Sequence, residues 1–170
     1  SAAEDLFNGS DLTGWEGDPQ YWSVRDGAIV GQIPPGTSLI HNTWLVWQGG
    51  QLADFDLRLQ FRLRGLPAAN SGIQFRCQVD SIGHVSGYQA DLDMGATWLG
   101  RIYDEHGRAL LVERGTRVLI APDGSRRQQT FAPAAQYSVL FRENDWNDYR
   151  IVAEGPHVAV YVNGTLFSEL

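Results

Sequence analysis

The chain has 170 residues, 43% hydrophobic and 11% aromatic, with 13 basic against 20 acidic side chains and a formal net charge of −7. That length suits a single domain with one proper core, and a charged fraction of 19% among so many aromatics excludes a disordered chain. No apolar run approaches the roughly 18–20 residues of a membrane helix, and the acidic balance argues against nucleic acid, whose phosphates reward clustered positive charge.

The start, Ser1-Ala2-Ala3-Glu4, lacks the basic and apolar regions of a signal peptide and is consistent with a mature end left by removal of one. Asp26-Gly27 predicts a tight turn and Ile33-Pro34-Pro35-Gly36 a loop. From Asp54 to Arg64 apolar and polar residues alternate, with Phe55, Leu57, Leu59, Phe61 and Leu63 on one face. That is a strand with one face in the core and one in water. Asn70-Ser71-Gly72 reads from its spacing as a turn, ahead of a strand that turns Ile73, Phe75 and Cys77 inward. In Gly87–Asp93, a strand would place Tyr88, Ala90 and Leu92 on one side and Gln89, Asp91 and Asp93 on the other. Tyr103-Asp104-Glu105-His106 predicts a strand end, Asp123-Gly124 a turn, and Ala132–Tyr137 one short helical turn. His157–Val162 alternates again and runs into Asn163-Gly164, a type I′ hairpin signal. Many short strands with Gly- and Pro-rich turns imply an all-β antiparallel sandwich or jelly roll, as one domain over residues 1–170.

Several kinds of chemistry are absent. All 13 basic residues are arginine, so lysine-based catalysis is excluded. Cys77 is the only cysteine, which excludes an intramolecular disulfide and a multi-thiolate zinc site. No nucleophile elbow, phosphate loop, dinucleotide fingerprint or His-Glu-x-x-His motif occurs, so no organic cofactor is expected. Asp91-Leu92-Asp93-Met94-Gly95 echoes a calcium loop but lacks its closing glutamate.

The candidate site lies around Asp91. Two carboxylates at strand positions 91 and 93 sit about 7 Å apart at the backbone, close enough to share a metal ion or to work as acid and base. The same spacing also suits a plain solvated sheet face. Arg62 and Arg76, with Gln60 and Gln74, are expected on the polar faces of neighbouring strands in the same sheet. Together with Gln89, Asp91 and Asp93 they would form a polar cleft for a polyhydroxylated ligand, with an aromatic such as Tyr103 to stack on a ring. Of the four histidines, His106, beside Glu105, is best placed for proton transfer near neutral pH.

Leu6-Phe7-Asn8-Gly9, Leu12-Thr13-Gly14-Trp15, Trp22–Gly27, Asp54–Leu57, Asn70–Arg76, Gly87–Asp91, Trp146-Asn147 and Val162-Asn163-Gly164 follow one another in an order that resembles the 3-keto-disaccharide hydrolase domain family. This family is also described as 3-keto-glucoside lyase and 3-keto-2-hydroxy-glucal hydratase. The resemblance implies a concanavalin A-like jelly roll of two antiparallel sheets, an exported, periplasmic or secreted location, and cleavage of glycosides oxidised to a ketone at C3. It suggests a divalent metal without identifying the ligands; Asp91, Gln89 and Asp93 are expected around that metal or around the sugar hydroxyls. Arg76 is expected on the keto or enolate oxygen, Asn70 on the sugar, and His106 or Glu105 as base. The family pattern continues past Asn163-Gly164 to a further strand, so an edge is expected to be covered by a second copy or another chain. A non-catalytic carbohydrate-binding module is the second reading. A two-carboxylate glycosidase ranks last, because Gln89 stands where such an enzyme needs its first acid.

Overall fold

The computed structural model describes residues 3–94 and 97–170; Ser1, Ala2 and Gly95, which figured in the reading above, lie outside the described residues. The chain forms two compact units, Ser1–Gln51 and Leu52–Leu170.

In the first unit, β1 (Trp15–Glu16) pairs with β4 (Val46–Trp47), and β2 (Trp22–Arg25) with β3 (Ala28–Gly31), all antiparallel. Asp26 and Gly27 both take positive φ, 53° and 74°, as the tight turn between β2 and β3 requires. Tryptophans staple these short strands. Trp15 Nε1 donates to the Leu6 carbonyl at 2.8 Å, Trp22 Nε1 donates to Thr43 Oγ1 at 3.2 Å, and the Trp22 ring lies where a side chain at Gly31 would stand.

The second unit is the predicted sandwich. One sheet has the order β11 (Arg126–Thr130), β10 (Thr116–Ile120), β14 (Thr165–Glu169), β13 (His157–Val162), β12 (Asn147–Glu154), β5 (Phe55–Phe61). The other runs β6 (Asn70–Val79), β7 (Val85–Asp93), β8 (Ile102–Glu105), β9 (Ala109–Val112). The period-two pattern sets which face is inside. Phe61, Tyr149, Ile151, Val158, Val160, Val162 and Phe167 from the larger sheet meet Phe75, Ala90, Leu92, Ile102 and Val112 from the smaller. Edge-to-face contacts of Phe55 with Phe75 (5.7 Å) and Phe61 with Tyr149 (5.6 Å) fill the core.

Four details differ from expectation. Asn70-Ser71-Gly72 is the start of β6 rather than a turn, since it pairs with Asp93, Leu92 and Asp91. The register of β6 against β7 then shifts between Phe75 and Gln78, where Arg76 adopts φ 45°. The helical turn lies later, at Ala134–Leu140, as a 3₁₀ segment entered from Pro133. One pair in the larger sheet is parallel: β14 folds back antiparallel on β13 through Asn163-Gly164 and thereby runs alongside β10. The strand at that sheet's outer edge is therefore β11, whose five residues are all exposed and polar.

Candidate functional site

The strand register gathers most of the polar candidates on the outer face of the four-stranded sheet. Gln74 lies opposite Gln89, which lies opposite Tyr103; Gly72 lies opposite Asp91, Asn70 opposite Asp93, and Gly87 opposite Glu105. Gly72 is required here, because a Cβ would come within 2.5 Å of the Gln89 side chain.

Asp91 is the best-held residue of this face. Its backbone N–H donates to the Arg101 carbonyl at 3.0 Å, and its carbonyl accepts from Gly100 N–H at 3.0 Å. The same carbonyl accepts the hydroxyl of Tyr149 at 2.9 Å, reaching across the core from β12. Gly100, with φ 83°, packs flat on Phe167, and buried Ser168 donates its hydroxyl to the Gly100 carbonyl, so the turn beside Asp91 is built against β14.

The side chain of Asp91 is the site's titratable centre. Burial, against a hydrogen bond from Gln89 and the charge of Arg101, pushes its carboxyl up to about 6, with the nearby negative charges of Asp93 and Glu105 adding to the rise. Gln89 Nε2 donates to Asp91 Oδ1 at 2.8 Å, and Gln74 Nε2 donates to Gln89 Oε1 at 2.8 Å. The order of the two amides leaves Gln74 Oε1 buried without a donor. Asp91 Oδ2 is left for a proton or a ligand.

Asp93 does different work. Its carboxylate accepts the backbone N–H groups of Thr97 (3.3 Å), Trp98 (2.6 Å) and Leu99 (3.0 Å), and it is 7% exposed beside the charge of buried Arg114. It shapes the loop that leads into Arg101. Among the described residues no group of three or more His, Cys, Asp or Glu is arranged to hold a metal ion. Asp91 gives Oδ1 to Gln89 and Asp93 gives both oxygens to its loop, so the pair does not present the convergent oxygens a divalent cation needs. The residues present do not fit such an ion.

Other expected members sit elsewhere. Gln60 and Arg62 do not share a sheet with Gln74, because β5 belongs to the six-stranded sheet. Gln60 donates to Asp148, and the Arg62 guanidinium lies 4.8 Å over the Trp146 ring. Arg76 is turned aside by its bulge and donates to the carbonyls of Ala53 (2.8 Å) and Gly155 (2.6 Å) and to Asp54 (3.3 Å). It straps the start of β5 to the β12–β13 turn and is not free to hold a ligand. Asn70 is exposed and donates to the Ala68 carbonyl. His106 lies in the β8–β9 turn with φ 55°, its ring stacked on His84 at 5.8 Å and Nε2 3.9 Å from Glu105.

Sequence reading missed Arg101. Running the alternation of Tyr103 and Glu105 back by two residues, with Ile102 fully buried between, places Arg101 on the same face as Asp91. Its side chain is 15% exposed, and its Nε lies 3.5 Å from Glu113 Oε2 without a hydrogen bond.

The larger sheet facing the smaller across one core, with a polar outer face holding a burial-shifted carboxylate, defines a jelly-roll β-sandwich. The same fold occurs in a crystal structure described as a putative glycosyl hydrolase from Parabacteroides distasonis ATCC 8503, with a TM-score of 0.57 and 19% identity over 97% of this chain and 70% of that one. The chain belongs to the 3-keto-alpha-glucoside-1,2-lyase-like domain family, whose profile matches residues 2–170. It is thus a carbohydrate-active domain of the 3-keto-disaccharide hydrolase type. Comparison with curated proteins gives no match. No helix among the described residues is long and apolar enough to cross a membrane.

Proposed function

We propose that this domain cleaves glycosides carrying a ketone at C3, with Asp91 as the base that removes the proton from C2. The observation that carries this reading is the half-buried Asp91 carboxyl, pushed up to about 6 on the polar face of the smaller sheet. A base poised near working pH combines the ionised form with enough proton affinity to take a carbon-bound proton. A C3 ketone makes that proton acidic.

Abstraction breaks C2–H, and the proton passes to Asp91 Oδ2. The electrons form an enolate across C2 and C3. Return of the carbonyl then forms C1=C2 and expels the C1 oxygen, which takes up the proton held by Asp91. Water adds to the resulting 2-hydroxy-3-keto-glucal in a later step. Gln89 holds Oδ1 and so directs the proton to Oδ2, while Glu105 keeps the carboxyl basic by its charge. Tyr103, opposite Gln89, offers a ring to the sugar.

The experiment is proton NMR of the domain with a 3-keto-glucoside in D₂O. The expected result is release of the aglycone with loss of the C2 proton signal, and a fall of 10²-fold or more in Asp91→Asn. Binding shifts without turnover would instead leave a carbohydrate-binding module, and unchanged turnover in Asp91→Asn would remove Asp91 from the chemistry.

A further inference from the structure

We propose that Arg101 is the group that holds the substrate oxyanion beside Asp91, supplying from a side chain the positive charge for which a metal ion was expected. The inference rests on the reading of Asp91 as the base.

Its first support is position. Arg101 lies at the head of β8, and its carbonyl accepts the Asp91 N–H, so the two side chains are cross-strand neighbours on one face. The Arg101 charge acts directly on the Asp91 carboxyl. The turn that carries Arg101 is fixed from both sides, by the three loop N–H groups on Asp93 and by Ser168 on the Gly100 carbonyl.

The second support is what Arg101 lacks. Among the described residues, Arg76 and Arg114 are also shielded but satisfied: Arg76 donates to Ala53, Gly155 and Asp54, and Arg114 to Ser138. Arg101 has only the loose approach of Glu113, and its Nε is buried with no acceptor. A shielded guanidinium with idle donors is costly unless an acceptor arrives. Planar, paired N–H groups suit an oxyanion next to a hydroxyl, which is the pattern an enediolate presents.

The third support is charge balance. Proton transfer carries one negative charge from the Asp91 carboxylate to the C3 oxygen. C2–H breaks, its electrons make C2=C3, and the former carbonyl oxygen takes the charge while Asp91 becomes neutral. Arg101, adjacent to both, keeps one anion as its neighbour throughout, so the charge moves without a large change in its surroundings.

Ascorbate, an enediolate on a sugar lactone, tests the site without requiring turnover. In the Asp91→Asn protein, whose neutral amide mimics the protonated base, anaerobic titration followed by NMR should show saturable binding. Addition of Arg101→Met should weaken it tenfold or more, and Arg101→Lys should weaken it less. Absence of binding to Asp91→Asn, or equal binding with Arg101→Met, would overturn the proposal. Should the methionine variant not fold, Arg101→Lys decides alone, because unchanged affinity with a single ammonium would equally overturn it. A parallel readout is C2 deuterium exchange of 1,5-anhydro-3-keto-glucitol, which has no leaving group. Arg101→Lys should lower kcat far more than it raises KM. Wild-type protein that exchanges nothing while its ascorbate site depends on Arg101 sinks the lyase reading and keeps the anion site. Exchange by the wild type with ascorbate indifferent to Arg101 does the reverse.

Discussion

Asp91 sits at a cost to stability. A carboxyl raised from 3.8 to about 6 on folding keeps its proton in the native state where the unfolded chain has lost it. Stability therefore falls as pH rises from about 4 to 6 and is flat above, by about 3 kcal/mol as an upper bound. Asp91→Asn should cut turnover 10²-fold or more and yet raise the melting temperature at pH 7, which thermal scans of the two proteins would check. Tyr149 works on the same residue from the other side. Tyr149→Phe removes its bond to the Asp91 carbonyl and should cost about 1 kcal/mol in denaturant unfolding. The sequence made Gln74, Gln89 and Asp91 legible as candidates because alternation places them on one face, while Tyr103 stood out as an aromatic and Glu105 as the neighbour of His106. It did not show that Asp93 would turn to its loop or that Arg76 would be captured by Ala53 and Gly155. Those outcomes depend on how the chain closes, not on side-chain period.

At the level of strands and turns, glycine positions decide whether the site can form. Gly72→Ala would drive a methyl into the Gln89 side chain and break the Gln74–Gln89–Asp91 chain of hydrogen bonds. Its predicted signature is a tenfold or greater loss of turnover with only a modest drop in melting temperature, read in the same preparation. The segments that carry the family resemblance are largely scaffold. Asn147 is fully buried, with its amide donating to the carbonyls of Arg142 and Asp145 and its Oδ1 accepting from Arg142 N–H and Asn163. Asn163 in turn accepts from Asp148 N–H and opens the β13–β14 turn with φ 49°. Asn8 likewise accepts from Ser10 and Asp11 N–H. This is why the fold could be read from these motifs while the parallel β10–β14 pair could not: it joins residues 116–117 to 168–169, with no local signal linking them.

For the molecule as a whole, opposing carboxylates set the pH of greatest stability. Arg150 grips Asp56 with two bonds of 2.9 and 2.8 Å and holds its carboxyl down to about 2, while Arg117 with His157 lowers Glu169 and Arg108 lowers Asp104. Each depressed group contributes stability above its unfolded pKa near 4 that is lost as pH falls toward its folded value. Asp91 has the opposite sign between 4 and 6. The melting temperature should therefore peak near pH 4–5, and the peak should broaden toward neutral in Asp91→Asn; a scan from pH 3 to 8 reads both. Because the donors around Asp91 do not converge on a cation, chelation should leave both turnover and melting temperature unchanged, as dialysis against EDTA would test.

The placing of β14 between β13 and β10 bears on how the chain is made. Synthesis delivers the β10–β11 hairpin well before residues 165–169, yet within its sheet β14 is the neighbour that joins that hairpin to the rest. Until then a polar ribbon waits beside an unfinished sheet, and the Gly100 turn lacks the Phe167 ring and Ser168 hydroxyl that shape it. A nascent chain thus completes the setting of Asp91 only once β14 has emerged and entered the sheet, long after Asp91 itself was made.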